Sequence, residues 1–269
     1  MSACTGCADR TPPPTNLGKA TLRVFRYRPG GLVNGWHDTF EVPYGTNTSV
    51  IDALQWIKEH LDPTLAFRAS CRMGICGSCG LMIEGRPRLA CETFVRTLGS
   101  QATIEPLANF AVERDLVVDK QPFLDALRSV RPWVVGDDGT RAAEPGQPAE
   151  PAQSVEPGRQ TPPQLMKYQD FAQCINCLLC YAACPQAGFE RGFLGPAATA
   201  TAMRYNRDSR DHGAGKRLEV LDTDEGIWPC TFVGACSQVC PKGVDPAAAI
   251  QMAKLIAAGR WAKDMVSHG

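Results

Sequence analysis

The chain of 269 residues carries no surplus of charge: 28 Lys and Arg balance 28 Asp and Glu. Gripping a phosphate backbone takes a basic excess, so no nucleic-acid partner is expected. No run of about 18 apolar residues occurs, which is the length needed to cross a bilayer. The longest low-charge stretch, Gly226 to Pro241, is interrupted by Pro229 and Gly234. The opening MSACTGCADRTPPPTN has no apolar core after a basic start, so no secretory signal is expected. No G-x-G-x-x-G precedes a helix, so no dinucleotide fold is expected. Hydrophobic residues at 44% and charged residues at 21% fit an ordinary globular protein rather than a disordered one.

What is abundant is cysteine, at 13 residues. An odd count disfavours a fully paired disulfide scaffold, and clustered thiols in a reducing compartment point to metal. Cys71, Cys76 and Cys79 have the spacing C-x4-C-x2-C, followed at a distance by Cys91. This is the plant-type ferredoxin spacing for a 2Fe–2S cluster. Gly74, Gly77 and Gly80 let the loop wrap tightly and turn backbone N–H groups towards sulfur, with Ser78 as a further donor. The alternative is a structural zinc site, although zinc favours paired C-x2-C units.

Cys174, Cys177, Cys180 and Cys184 form C-x2-C-x2-C-x3-C with Pro185 next, the bacterial ferredoxin run. In two-cluster proteins the fourth Cys of each run ligates the other cluster, so a second run is required. Cys230, Cys236 and Cys240 supply it at the first, third and fourth positions, with Pro241 after them; Val233 occupies the second. Cys174, Cys177, Cys180 and the borrowed Cys240 make a full set for 4Fe–4S. Cys184, Cys230 and Cys236 make a set of three, suited to a 3Fe–4S cluster, because valine cannot ligate iron.

The rest of the chain supports an α+β architecture. Strands are expected at Ala20–Arg28, Trp36–Val42, Leu81–Ile83 and Ala102–Ile104. Val50, Leu54, Ile57 and Leu61 predict a helix, with Ser49 and Asp52 as a capping box and Pro63 as its stop. Residues 1–18 are expected as a flexible tail, 19–119 as the first domain and 120–165 as a linker. That linker contains a segment at 136–164 rich in Pro, Gly and Ala, read as solvated or as a docking strap. Residues 166–269 are expected as a mostly helical second domain. Asp245 and Pro246 start its last helix, and Ala248, Met252, Leu255 and Ile256 are expected along one face.

The segments FRASCRMGICGSCG, RDLVVD, CINCLLCYAACP, RYNRDSRDHG and CTFVGACSQVCPKGVDPAAAI together resemble the iron–sulfur subunit of succinate dehydrogenase and fumarate reductase over residues 20–265. The resemblance implies a plant-type ferredoxin (β-grasp) domain followed by a helical bacterial ferredoxin-like domain. It implies single electrons relayed through 2Fe–2S, 4Fe–4S and 3Fe–4S between an FAD-containing flavoprotein subunit and a quinone. It also implies hydrophobic membrane-anchor subunits that hold the chain, as a peripheral subunit, on the cytoplasmic side of the cell membrane. By position it places Gln251 and Lys254 near the quinone head, with Tyr27, Pro185 and Thr231 as further quinone-pocket residues. Ubiquinone-reducing members usually carry Ser and Trp soon after the Cys-Pro, where this chain has Gln186, Ala187, Gly188 and Phe189. That resembles the fumarate reductase branch and favours menaquinone.

Cys4 and Cys7, in the tail, are left without a role. His37, His60, His212 and His268 have no ligand spacing, and Trp36, Trp56, Trp133, Trp228 and Trp261 are read as packing residues. Two competing readings are a free ferredoxin-like carrier for another dehydrogenase and a zinc-stabilised interaction protein.

Overall fold

A computed structural model describes residues 18–31, 35–136, 160–189 and 192–267. The expected tail with Cys4 and Cys7, most of the Pro-rich segment, and His268 lie outside them.

In the first half, apolar residues alternate along β1 (Gly18–Arg26) so that Ala20, Leu22 and Val24 face inward. β1 pairs antiparallel with β2 (Trp36–Tyr44) and parallel with β5 (Gln101–Glu105). β3 (Gly80–Ile83) joins β5 to the last strand, β4 (Arg86–Leu89), giving the order β2-β1-β5-β3-β4. Helix α1 (Val50–His60) buries Val50, Ile51, Leu54 and Ile57, which share one core with the strand residues Leu22, Val24, Ile83 and Ile104. Its expected capping box is present: the Ser49 hydroxyl accepts from the Asp52 N–H, and the Asp52 carboxylate accepts from the Ser49 N–H.

The in-facing register of β1 carries Arg26 into the core, where it is 2% exposed. Its guanidinium donates to Asp38 at 2.8 Å, Asp62 at 2.5 Å and Asp115 at 3.2 Å. Asp115, from the RDLVVD segment, also accepts from the Tyr27 and Ala66 N–H groups. The bonds from Thr64, hydroxyl first, and that from Arg26 hold the Asp62 carboxyl down to about 2. Two short strands, β6 (Val112–Arg114) and β7 (Val117–Val118), close this half.

Both ends of the stretch expected as a linker, 120–165, are helical. Gln121–Ser129 forms helix α2, anchored by buried Phe123, and Pro162–Met166 forms α3 behind a Thr161/Gln164 capping box. The segment after α2 is held by Arg217, fully buried, which donates to the carbonyls of Val130, Arg131 and Trp133 and to Asp211.

The second half is helical: α4 (Gln169–Ala172), α5 (Leu179–Ala182), α6 (Pro185–Phe189), α7 (Pro196–Asn206), α8 (Ala214–Leu221), α9 (Ala235–Gln238) and α10 (Pro246–Ser267). Asp245 caps α10 by accepting from the Ala248 N–H at 2.9 Å. The expected apolar face of α10 is rotated. Ala249, Ile250, Ala253 and Ala257 are buried, whereas Leu255 is 74% and Ile256 48% exposed. The small residues let α7 and α10 pack closely, so the bulkier side chains are turned outward.

Candidate iron–sulfur centres

The first thiol set is assembled by a loop and a hairpin. The β3–β4 ladder pairs Gly80 with Leu89, and the Ala90 N–H donates to the Cys79 carbonyl at 3.0 Å. Cys79 and Cys91, twelve residues apart, are thereby set side by side. Cys71 and Cys76 lie in the loop before β3, which passes through the left-handed region at Arg72 (φ 57°), Gly74 (φ 69°) and Gly77 (φ 68°). That path turns its amides onto sulfur. The N–H groups of Met73, Ile75 and Cys76 lie 3.5, 3.4 and 3.3 Å from Cys71 Sγ. The Gly74 N–H lies 3.3 Å from Cys91 Sγ and the Ser78 N–H 3.5 Å from Cys76 Sγ. The Ser78 hydroxyl, with the backbone amides of Cys71 and Ser78, pushes the Cys76 thiol down to about 6, whereas burial and the neighbouring Cys79 push Cys91 up to about 12. The loop is at the surface: Cys76 is exposed, and Met73 and Ile75 beside it are 66% and 60% exposed.

The other seven thiols fall into two sets, one around each of two cavities. Cys174, Cys177, Cys180 and Cys240 line a small cavity with Leu178, Leu179 and Val244. Cys184, Cys230 and Cys236 line another with Pro185, Thr231 and Val233. Electrostatics divides them alike. Cys174 and Cys177 feel Cys240, whereas Cys236 feels Cys184 and Cys230. Cys180 feels both Cys177 and Cys236 and so stands at the junction. Burial is the leading cause at Cys174, Cys177, Cys180 and Cys236 and pushes these four up, Cys177 to about 11. Buried sulfurs of this kind ionise only against a cationic centre, which is what iron supplies. Among the described residues no three His, Cys, Asp or Glu side chains converge as they would on one metal ion.

The residues expected at a quinone are split. Thr231 and Pro185 are exposed at the rim of the second cavity, and Gln186 reaches Thr231 Oγ1 at 3.4 Å. Lys254 donates to the Cys230 carbonyl at 2.7 Å, with its Nζ 5.6 Å from the ring centre of Trp228. Gln251, one turn earlier, keeps a buried Nε2 with no partner among the described residues. Tyr27 does not join them: its bonds run to Asp115 in the first half. Trp228 stacks on Trp261 at 5.1 Å, so two residues read as core packing stand at this edge, with Trp261 49% exposed.

Sequence reasoning missed Asn109. From the loop after β5 it reaches into the second half and donates to the carbonyls of Tyr181 (2.8 Å) and Cys184 (2.9 Å). Its left-handed backbone (φ 68°) is a local signal available only once the fold is known.

Residues 21–125 match the model of a 2Fe-2S iron-sulfur cluster binding domain, and residues 170–244 that of a 4Fe-4S dicluster domain. The chain is 49% identical over 245 residues to the fumarate reductase iron-sulfur subunit of Haemophilus influenzae, covering 91% of this chain and 95% of that one. It is 48% identical over 251 residues to the subunit of the same name from Mycobacterium tuberculosis, covering 93% and 97%. A mitochondrial succinate dehydrogenase [ubiquinone] iron-sulfur subunit of Oryza sativa subsp. japonica is 37% identical, covering 93% and 78%. A chain of the Mycobacterium smegmatis Sdh1 complex in the apo form superposes with a TM-score of 0.74 at 27% identity, covering 90% and 96%. The α+β pair of ferredoxin-like domains and the single-electron relay follow, and the chain belongs to the family of fumarate reductase and succinate dehydrogenase iron–sulfur subunits.

Proposed function

We propose that this chain joins an FAD-containing flavoprotein to a membrane quinone in a quinol:fumarate reductase or succinate:quinone oxidoreductase. The supporting observation is that the three thiol sets adjoin in turn: the first loop meets Cys177 of the second, and Cys180 of the second neighbours Cys236 of the third. At one end Cys71, Cys76, Cys79 and Cys91 would hold 2Fe–2S, with exposed Met73 and Ile75 around them as a docking rim. In the middle Cys174, Cys177, Cys180 and Cys240 would hold 4Fe–4S away from water. At the far end Cys184, Cys230 and Cys236 would hold 3Fe–4S beneath Phe232 and Val233, each 60% exposed. A row with two exposed ends and a buried middle is built to take electrons in at one face and release them at another.

When bound, the clusters supply one-electron redox chemistry at potentials set by charge, hydrogen bonds and burial. The side chains of this protein hold, insulate and orient. Lys254 is held between the Cys230 carbonyl and the Trp228 ring, where its ammonium donates to a quinone oxygen; Gln251 offers its unpaired amide beside it. Pro185 and Thr231 border the same edge, and Tyr27 stands apart from it. Gln186 to Phe189 after the Cys-Pro favour menaquinone. No described helix is long and apolar enough to cross a membrane, so attachment to the cytoplasmic face of the cell membrane falls to anchor subunits. The exposed Leu255, Trp261, Met265 and Val266 of α10 fit that contact.

The test is turnover of the purified complex with succinate plus a quinone against quinol plus fumarate. Lys254→Ala is expected to depress quinone-linked turnover by about tenfold or more, while succinate oxidation with an artificial acceptor persists. Unchanged quinone turnover would remove Lys254 from the site. A colourless, EPR-silent protein would restore the zinc reading.

A further inference from the structure

The first thiol loop and the second domain meet backbone to backbone at two glycines. A Cβ placed on Gly77 would stand 2.6 Å from the Ile175 carbonyl oxygen and 2.9 Å from Cys177 Cα. A Cβ placed on Gly80 would stand 2.8 Å from the Cys177 carbonyl oxygen. Contacts that close are never made by real Cβ atoms, so any other residue would push the halves apart. Gly77 follows Cys76 directly, and Gly80 follows Cys79. Both glycines face the same residue, Cys177, from the central thiol set. The contact is dry: Cys79, Leu107, Cys177 and Leu179 belong to one continuous buried core across the junction.

We propose that Gly77 and Gly80 are positioning residues that set the closest approach of the first and second clusters, and that single electrons cross at their contact with Cys177. This rests on the cluster assignment above. One electron leaves the centre held by Cys76 and Cys79, which is oxidised by one unit, and arrives at the centre held by Cys177, which is reduced by one. No bond forms or breaks, and no proton moves at either glycine. Tunnelling falls steeply with distance, so the shortest dry contact between ligand backbones carries the transfer. The lack of side chains at positions 77 and 80 is then a functional requirement.

Gly80→Ala separates this role from backbone strain, because Gly80 is not in the left-handed region whereas Gly77 is (φ 68°). Gly85→Ala is the control: it adds strain (φ 68°) with nothing within 4 Å of the new methyl. In the intact complex, Gly80→Ala is expected to retain all three EPR signals. Freeze-quench reduction of the 4Fe–4S centre by way of 2Fe–2S should be several-fold slower, and the magnetic interaction between the two reduced centres weaker. Gly85→Ala should change neither. Signals intact with rate and interaction unaltered would overturn the proposal. Should Gly80→Ala lose a cluster, relaxation enhancement in the unaltered complex decides. Strong coupling of 2Fe–2S to 4Fe–4S supports the contact, and coupling no stronger than that between 2Fe–2S and 3Fe–4S overturns it. Absence of 2Fe–2S from the unaltered protein would instead overturn the ligand assignment.

Discussion

The first thiol loop and the central thiol set solve the same problem in opposite ways. In the loop, five backbone N–H groups lie within 3.5 Å of sulfur, and Cys76 is open to solvent. Around Cys177 and Cys180 the walls are Leu178, Leu179, Ala197 and Val244, and burial pushes every shifted thiol of that set up. Donors and water stabilise added negative charge, and an apolar wall does not. Clusters held by these sets would therefore differ in potential, the loop's raised relative to its type and the central one lowered. The far set lies between these extremes: Cys236 is buried, but Phe232 and Val233 open to solvent.

The largest expected effect comes from making the far set resemble the central one. Val233→Cys places a thiol at the position that the C-x2-C-x2-C-x3-C pattern leaves to valine, on the rim of the cavity holding Cys184, Cys230 and Cys236. The 3Fe–4S EPR signal is expected to disappear and a second 4Fe–4S signal to replace it, with quinone-linked turnover falling as the last centre drops in potential. Persistence of the 3Fe–4S signal alone would show that Val233 does not face the missing iron.

A smaller effect is expected where the two halves are fastened. Asn109 donates to the carbonyl of Tyr181, in α5, and to that of Cys184 just beyond it. Asn109→Ala removes both bonds, at a cost of about 0.5–1.5 kcal/mol each. A fall of roughly 2–4 °C per kcal/mol should be seen in thermal unfolding of the complex. The 3Fe–4S signal, held through Cys184, should broaden while the 2Fe–2S signal keeps its shape. Equal broadening of both would make Asn109 a general stabiliser instead of a support for Cys184.

These contrasts were unevenly legible in the sequence. The cysteine spacing carried the grouping of the thiols, because ligand number and loop length are written locally. The alternation in β1 and the Ser49/Asp52 box located the first sheet and its helix for the same reason. What stayed hidden depended on contacts far apart in the chain. Helix α2 is anchored by buried Phe123, and the chain that follows it is held by Arg217, nearly ninety residues later. The short strand β4 went unread because Arg86–Leu89 contains a proline and two arginines. The outward turn of Leu255 and Ile256 follows from alanine packing between α7 and α10, which apolar periodicity alone cannot distinguish from burial of the larger residues.

The smallest effects test the comparison most directly, by exchanging one feature between its two sides. Ser78→Ala removes the hydroxyl that helps push Cys76 down; Val244→Thr, nearly isosteric and 3% exposed, adds a hydroxyl to the wall of the central cavity. One hydrogen bond contributes about 1 kcal/mol, equivalent to roughly 40 mV for a one-electron couple. Redox titration followed by EPR should show the 2Fe–2S potential fall by about that amount in Ser78→Ala. The 4Fe–4S potential should rise by a similar amount in Val244→Thr, and each variant should leave the other centre in place. The signs are opposite because one change withdraws a donor and the other supplies one. If both potentials moved the same way, or neither moved, the difference between the two regions would lie in net charge rather than in donors and burial. Neutralising Lys120, whose ammonium interacts with Cys76, Cys79 and Cys177 together, would then be expected to shift both centres downward at once.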